Sequence, residues 1–276
     1  MALMSTLRKL NARLYHHTQS LGLASDLTTL RHLYRPSASR QVLNVRFRDR
    51  RFRVQTRGKT IDTQLIRQIL CEDSEYRLPV PLQPRVIFDI GANIGITTLY
   101  YATVYPQAHI YCFEPLPENV ELLRFNTAAL INRVTVVPKG LGQRNGTFLF
   151  HPSNDPANLG GGSYHMAGNG PNRGIHLPVT TVDAVCQKFG IGQIDLFKID
   201  AEGAELDILK GIPQPLLDGA SALVGELHGV GDLDFLQRLS TSYNVGISKR
   251  YDHNCYPFVA IRKKAKNPAI HLAKAG

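Results

Sequence analysis

Leu3, Leu7, Leu10 and Leu14 recur at helical spacing among Arg8, Lys9 and Arg13, which predicts a basic amphipathic helix at the start of the chain. A stripe of that kind usually docks on protein, either on the rest of the chain or on a second copy. From Val42 to Arg57 the period shortens to two on both sides of Asp49-Arg50, which predicts a β-hairpin with one solvated, arginine-bearing face. A helix over about 62–71 follows. Leu78-Pro79-Val80-Pro81-Leu82-Gln83-Pro84 then excludes regular helix and marks the entry to the main domain.

From Arg85 onward the pattern alternates between short apolar runs and helical spacing. Strands are expected near 86–90, 108–113, 133–137, 194–199 and 221–227, and helices near 94–104, 117–128, 203–210 and 232–240. That alternation is the pace of a doubly wound α/β sheet. Tyr243–Ser248 and Phe258–Ile261 read as a closing antiparallel pair. Between the third and fourth core strands, the stretch from Thr147 through Asn158-Leu159-Gly160-Gly161-Gly162-Ser163 to Gly174 is expected to be loop-rich and mobile, a candidate lid over a bound acceptor. The expected organisation is therefore a basic helical extension (1–40), a hairpin-plus-helix lead-in (41–84), the main domain (85–262) and a basic tail (263–276).

Composition changes this picture in two places. At 276 residues and 43% hydrophobic, the chain suits one large α/β domain with extensions. The net charge of +10 is concentrated at the ends: residues 1–84 carry 15 basic against 6 acidic side chains, whereas 85–261 carry 12 against 16. A nucleic-acid enzyme would surround its active site with basic residues, so the mildly acidic main domain disfavours that partner. The basic N-terminal region is instead suited to weak contact with an anionic membrane surface. Cys71, Cys112, Cys186 and Cys255 are too scattered for a zinc module or a disulfide framework. With no long apolar run and no signal-peptide core, a cytoplasmic, peripheral at most, protein is expected.

The chemistry begins at Val86-Ile87-Phe88-Asp89-Ile90-Gly91-Ala92-Asn93-Ile94-Gly95, an apolar strand running into an acidic glycine turn and a helix. The glycines at 91 and 95 would admit backbone close to a ligand. Their spacing is not the G-x-G-x-x-G that receives a pyrophosphate. Asp89 would repel a diphosphate and suits a cationic ligand, which points to S-adenosylmethionine. About twenty residues on, Tyr111-Cys112-Phe113-Glu114-Pro115 ends the second strand in an acid placed to accept hydrogen bonds from both ribose hydroxyls.

A third cluster, Asp195-Leu196-Phe197-Lys198-Ile199-Asp200-Ala201-Glu202-Gly203-Ala204-Glu205, puts Asp200 and Glu202 at a strand end and Glu205 in the following helix. Mutually repelling carboxylates need a cation, shared protons or hydrogen-bond donors. The fifth strand ends in Gly225-Glu226-Leu227-His228, with Glu226 and His228 on one face. If these two strands are neighbours, the groups converge. Glu205 alone would also suit a first helical turn, and His228 a hydrogen-bonded strand end.

The series Asp-Ile-Gly-Ala-Asn-Ile-Gly, Phe-Glu-Pro, Thr181-Val182-Asp183, Lys-Ile-Asp-Ala-Glu-Gly-Ala-Glu and Leu209-Lys210-Gly211 resembles the FkbM family of S-adenosylmethionine-dependent methyltransferases over roughly 62–262. The resemblance implies a class I methyltransferase fold, Rossmann-like and doubly wound, with a seven-stranded sheet that is mostly parallel with one antiparallel strand. It also implies O-methylation of a hydroxyl on a sugar, glycolipid or secondary metabolite. By position it assigns Asp89, Gly91, Asn93, Gly95 and Glu114 to the cofactor and Asp200, Glu202, Glu226 and His228 to the reacting centre. His228 or Asp200 would take the acceptor's proton, with Glu202 and Glu226 orienting the base. Alternatively Asp200, Glu202 and Glu226 would hold Mg²⁺ or Ca²⁺, which lowers a hydroxyl pKa.

Two rival readings remain open from sequence. A nucleic-acid methyltransferase would explain the basic ends, yet the place of an Asn/Asp-Pro-Pro-aromatic motif is taken by Asp200-Ala201-Glu202-Gly203, whose acids repel a phosphate backbone. A non-catalytic cofactor-binding scaffold would keep the fold without turnover.

Overall fold

The computed structural model describes residues 20–71, 74, 76–151, 174–229, 231–248 and 255–263. The expected helix at the chain start, the glycine-rich heart of the 152–174 excursion and the basic tail lie outside the described residues, apart from their edges. In chain order the elements are α1 (Leu27–Tyr34), β1 (Gln41–Phe47), β2 (Arg50–Thr56), α2 (Asp62–Ile69), β3 (Val86–Ile90), α3 (Ile96–Val104), β4 (His109–Phe113), α4 (Pro117–Thr127) and β5 (Val134–Val137). They continue with β6 (Gly140–Leu141), β7 (Gly146–Phe150), β8 (Ile175–Thr180), α5 (Val182–Phe189), β9 (Leu196–Ile199), α6 (Glu205–Gly211) and α7 (Gln214–Gly219). The last four are β10 (Ala222–Leu227), α8 (Asp232–Ser240), β11 (Tyr243–Ile247) and β12 (Tyr256–Arg262).

The main sheet has seven strands in the order β11-β12-β10-β9-β3-β4-β5. Its central members β10, β9, β3, β4 and β5 are mutually parallel, and β12 runs antiparallel to both of its neighbours. This is the class I methyltransferase arrangement. The chain order reverses between β3 and β9, and ligands in such sheets bind beyond the carboxyl ends of the strands at that reversal.

Helix α3 shows why the lead-in belongs to the same body. Every residue from Ile96 to Ala102 is buried, and a helix apolar all round must be covered on all sides. The sheet covers one side and the lead-in the other, where Phe47 stacks on Tyr100 with ring centroids 5.6 Å apart. One apolar core runs without a break from Leu33, Val45 and Ile66 to Ile87, Leu99 and Leu196, and a second fills the opposite face of the sheet around Phe88, Phe113, Phe197 and Phe235.

Three local expectations shift. The hairpin pairs Phe47 with Arg50, so its turn is Arg48-Asp49, one residue earlier than the alternation suggested. Arg48 supplies the positive φ, 53°, that two-residue hairpin turns use. The helix expected from residue 203 begins at Glu205, because Glu202 and Gly203 form a left-handed turn with φ of 53° and 101°. The excursion expected to be loop from Thr147 carries strands: β7 and β8 pair antiparallel with Phe148 opposite Leu177, and β6 joins them in a small separate sheet. Their partners lie too far apart in sequence for a local pattern to reveal the pairing. Helices α5 and α7 were likewise not anticipated. The α5 start is marked by Thr181, whose side chain accepts from the Ala184 amide at 3.1 Å. No described helix is long and apolar enough to cross a membrane, and all four cysteines are reduced and buried.

Candidate functional site

The turn after β3 is built by two glycines. A Cβ on Gly91, which has φ of 74°, would stand 1.8 Å from the carbonyl oxygen of Asp200. One on Gly95 would stand 2.7 Å from Leu123 Cδ1. Gly91 is therefore demanded first by packing, since it lets the ends of β3 and β9 touch, whereas Gly95 is demanded by its φ of 91° beside α4. Gly91 also lines the central cavity, whereas Gly95 does not.

Glu114, at the end of β4, is buried and fixed by backbone. Its Oε2 accepts from the Asn93 amide and its Oε1 from the Leu116 amide, each at 2.9 Å. Burial raises its pKa despite these bonds. Next to it, Asn119 on α4 is 1% exposed, and its Oδ1 accepts from Arg57 at 2.8 Å. Arg57 is in turn clamped to the fully buried Asp62 by an ion pair of 2.8 Å. Two buried polar atoms on cavity residues, Asn93 Oδ1 and Asn119 Nδ2, lack a well-formed hydrogen bond among the described residues, although the Asn119 amide lies against Glu114 and lowers its pKa. Such atoms are costly unless a ligand or water satisfies them.

Lys198, on β9, sits opposite Asp89 of β3 in the sheet register. Its ammonium is 1% exposed and donates to the carbonyls of Gly91 at 2.7 Å and Ile90 at 3.2 Å. It lies 3.6 Å from Asp89 Oδ1 and 3.3 Å from Asp200 Oδ2. Burial opposes its charge, but the Asp200 and Asp89 carboxylates outweigh that and raise its pKa. Asp89 itself is fully buried and accepts from Thr98 Oγ1 at 2.7 Å. It does not line the cavity and reaches it only through Lys198. Burial raises its pKa, with Lys198 and Thr98 pulling the other way.

The acidic cluster and its histidine gather at the tips of β9 and β10, which are adjacent and parallel. His228 Nδ1 is 2.9 Å from Glu205 Oε1. Its Nε2 lies 3.9 Å from Asp200, 3.7 Å from Glu202 and 4.0 Å from Glu226. Burial would depress the imidazole, but the Glu205 hydrogen bond and the surrounding carboxylates push it up to about 10. His228 is thus an imidazolium at neutral pH. Burial and the Asp200 charge raise Glu202 to about 8 and Glu226 to about 7. Asp200 behaves oppositely: burial alone would raise it, yet Lys198, His228 and the Tyr76 hydroxyl together hold it below the usual carboxylate range.

One cleft, partly open to solvent, joins these groups. Gly91, Asn93, Glu114, Asp200 and Glu202 line it directly, while Asp89, Gly95, Glu226 and His228 stand behind. Its apolar walls include Phe148, Phe150 and Leu177 from the small sheet and Leu65 and Ile69 from α2. Tyr76, Lys198 and Asn119 were not singled out from sequence. Lys198 stood inside a quoted motif, but its pairing with Asp89 depends on register, and nothing local marks Tyr76 or Asn119.

The donor set also bears on cations. Asp200, Glu226 and His228 each offer one ligand atom within 4.8 Å of the others, so the histidine replaces Glu202 in the trio expected from sequence. Lys198 and the His228 imidazolium already supply positive charge to this cluster.

Residues 89–239 match the family model described as the methyltransferase FkbM domain. The chain is 30% identical over 185 residues to the 2-O-methyltransferase NoeI of Sinorhizobium fredii, covering 62% of this chain and 72% of NoeI. It is 31% identical over 197 residues to the 31-O-demethyl-FK506 methyltransferase FkbM of Streptomyces tacrolimicus, covering 60% of this chain and 74% of that protein. It is also 27% identical over 245 residues to the AMB antimetabolite synthetase AmbE of Pseudomonas aeruginosa, covering 71% of this chain but only 12% of AmbE.

Proposed function

Because the chain belongs to the FkbM methyltransferase family, we propose that it transfers the methyl group of S-adenosylmethionine to a hydroxyl oxygen of a sugar, glycolipid or secondary metabolite. The observation that carries the reading is one cleft with two chemically distinct ends, a carboxylate and amide pair at Glu114 and Asn119 and an ionised acid at Asp200. The names of NoeI and FkbM put their methyl groups on oxygen, which supports the same atom here.

The residues present fit the cofactor. A hydroxyl donates to a carboxylate and accepts from an amide N–H, and Glu114 and the Asn119 side-chain amide beside it offer that combination to a ribose. Gly91 and Asn93 line the cleft nearby. When bound, S-adenosylmethionine supplies the methyl group together with a sulfonium leaving group.

The protein's part is alignment and proton removal. Holding the acceptor oxygen in line at about 3 Å replaces a bimolecular encounter with an effective molarity on the order of 10⁵ M or more. Asp200 is the base this geometry favours, because it lines the cleft and stays ionised, while His228 is already protonated at neutral pH. A carboxylate of modest basicity suffices, since the hydroxyl becomes strongly acidic as its bond to carbon forms. A placed base contributes about 10²- to 10⁴-fold. The His228 imidazolium, hydrogen-bonded to Glu205, and the raised pKa values of Glu202 and Glu226 together limit the repulsion on Asp200.

The test is transfer of a tritiated methyl group from S-adenosylmethionine to a panel of hydroxylated sugars, glycolipids and macrocyclic alcohols, with RNA as a control. Label stable to mild alkali in a hydroxylated acceptor is expected, because ethers resist conditions that cleave methyl esters. Label released by alkali, found in RNA, or absent from every acceptor would count against this reading.

A further inference from the structure

Tyr76 precedes the residues that match the family model, yet it touches the reactive end. Its side chain is 3% exposed and its hydroxyl donates to Asp200 Oδ2 at 2.9 Å. The same oxygen faces Lys198 Nζ at 3.3 Å, and that ammonium also lies 5.4 Å from the centroid of the Tyr76 ring. Tyr76 is itself held in place: its carbonyl accepts from the Tyr101 hydroxyl at 3.4 Å, and the segment between α2 and β3 is pinned by the amide of Arg77, which donates to the Ser74 carbonyl at 2.9 Å.

The two Asp200 oxygens are therefore inequivalent. Oδ2 is engaged by Tyr76 and Lys198, whereas among the described residues Oδ1 faces His228 Nε2 at 3.9 Å, beyond hydrogen-bond reach. Resting on the methyl-transfer reading above, we infer that Tyr76 is a positioning residue of the reaction, locking Asp200 through Oδ2 so that Oδ1 is presented to the acceptor's proton. In that step the hydroxyl oxygen bonds to the methyl carbon, the carbon–sulfur bond breaks with its electron pair staying on sulfur, and the proton passes to Oδ1. The lead-in thereby contributes to the reacting centre from outside the segment that defines the family.

Tyr76→Phe tests this while keeping the ring beside Lys198. The Asp200 side-chain carboxyl is followed by ¹³C NMR against pH, with its resonance identified by loss in Asp200→Asn. Removing a hydrogen bond to a charged group is expected to raise the Asp200 midpoint by about one pH unit or more. Affinity for S-adenosylmethionine by calorimetry should stay within about twofold, since Tyr76 contacts neither Glu114 nor Asn119. With an acceptor from the panel, kcat should fall about tenfold in the wild-type background and not at all in Asp200→Asn. An unmoved Asp200 midpoint in folded Tyr76→Phe, or an equal loss of kcat in both backgrounds, would overturn the inference. Absence of S-adenosylmethionine binding in the wild type would instead sink the functional reading and leave the NMR result to judge the Tyr76 contact alone.

Discussion

The two ends of the cleft solve opposite electrostatic problems. At the Glu114 end a single carboxylate is matched by two backbone amides at 2.9 Å, and its neighbour Asn119 is oriented by Arg57. At the Asp200 end one histidine nitrogen stands within 4.0 Å of three carboxylates, and a fourth acid holds its other nitrogen. The first end is stabilised by dipoles fixed in the backbone, although burial still raises the Glu114 pKa. The second is balanced by titratable groups, with Glu226 at about 7, Glu202 at about 8 and His228 at about 10. The difference separates tasks: a rigid, pre-paired end suits binding, and an end crowded with movable protons suits chemistry.

The largest effect should come from Asp200→Asn, which keeps the shape and removes the base. Transfer is expected to fall by about 10²- to 10⁴-fold, and near-normal turnover would show that the Asp200 end does not perform the proton removal. A smaller effect sharpens the contrast through pH. His228 has its folded pKa raised to about 10, so its stabilising contribution is complete below an unfolded value of about 6.5 and is lost as pH rises through about 10. Thermal melts of wild type and His228→Gln should therefore differ by about 2–4 °C at pH 6, for each kcal/mol involved, and converge above about pH 10. A difference that does not change with pH would mean that His228 acts by packing and not by charge.

The two ends also differed in how far sequence could reach. The Glu114 end was readable because its parts, Asp89-Ile90-Gly91 and Phe113-Glu114-Pro115, sit on consecutive strands with strong apolar runs before them. The convergence of Asp200, Glu202, Glu205, Glu226 and His228 was conditional on β9 and β10 being neighbours, and they are. The roles of the pieces were harder. Gly91 looks like a ligand-approach glycine, but it is first a packing glycine against Asp200. Asp89 looks like a ligand acid, but register places Lys198 opposite it and burial withdraws it from the cleft. Tyr76 was invisible, because it stands 124 positions from the Asp200 carboxylate to which it donates, and no periodicity records a contact across that separation.

The central claim is that binding and chemistry reside at separate ends of one cleft. Its most direct test is calorimetric titration of S-adenosylmethionine into wild type, Glu114→Gln and Asp200→Asn under identical conditions. The account predicts one site in the wild type, affinity weaker by about 10- to 100-fold in Glu114→Gln, as expected for losing a hydrogen bond to a charged group, and affinity within about threefold of wild type in Asp200→Asn. Equal binding by Glu114→Gln and wild type, or loss of binding in Asp200→Asn, would contradict it.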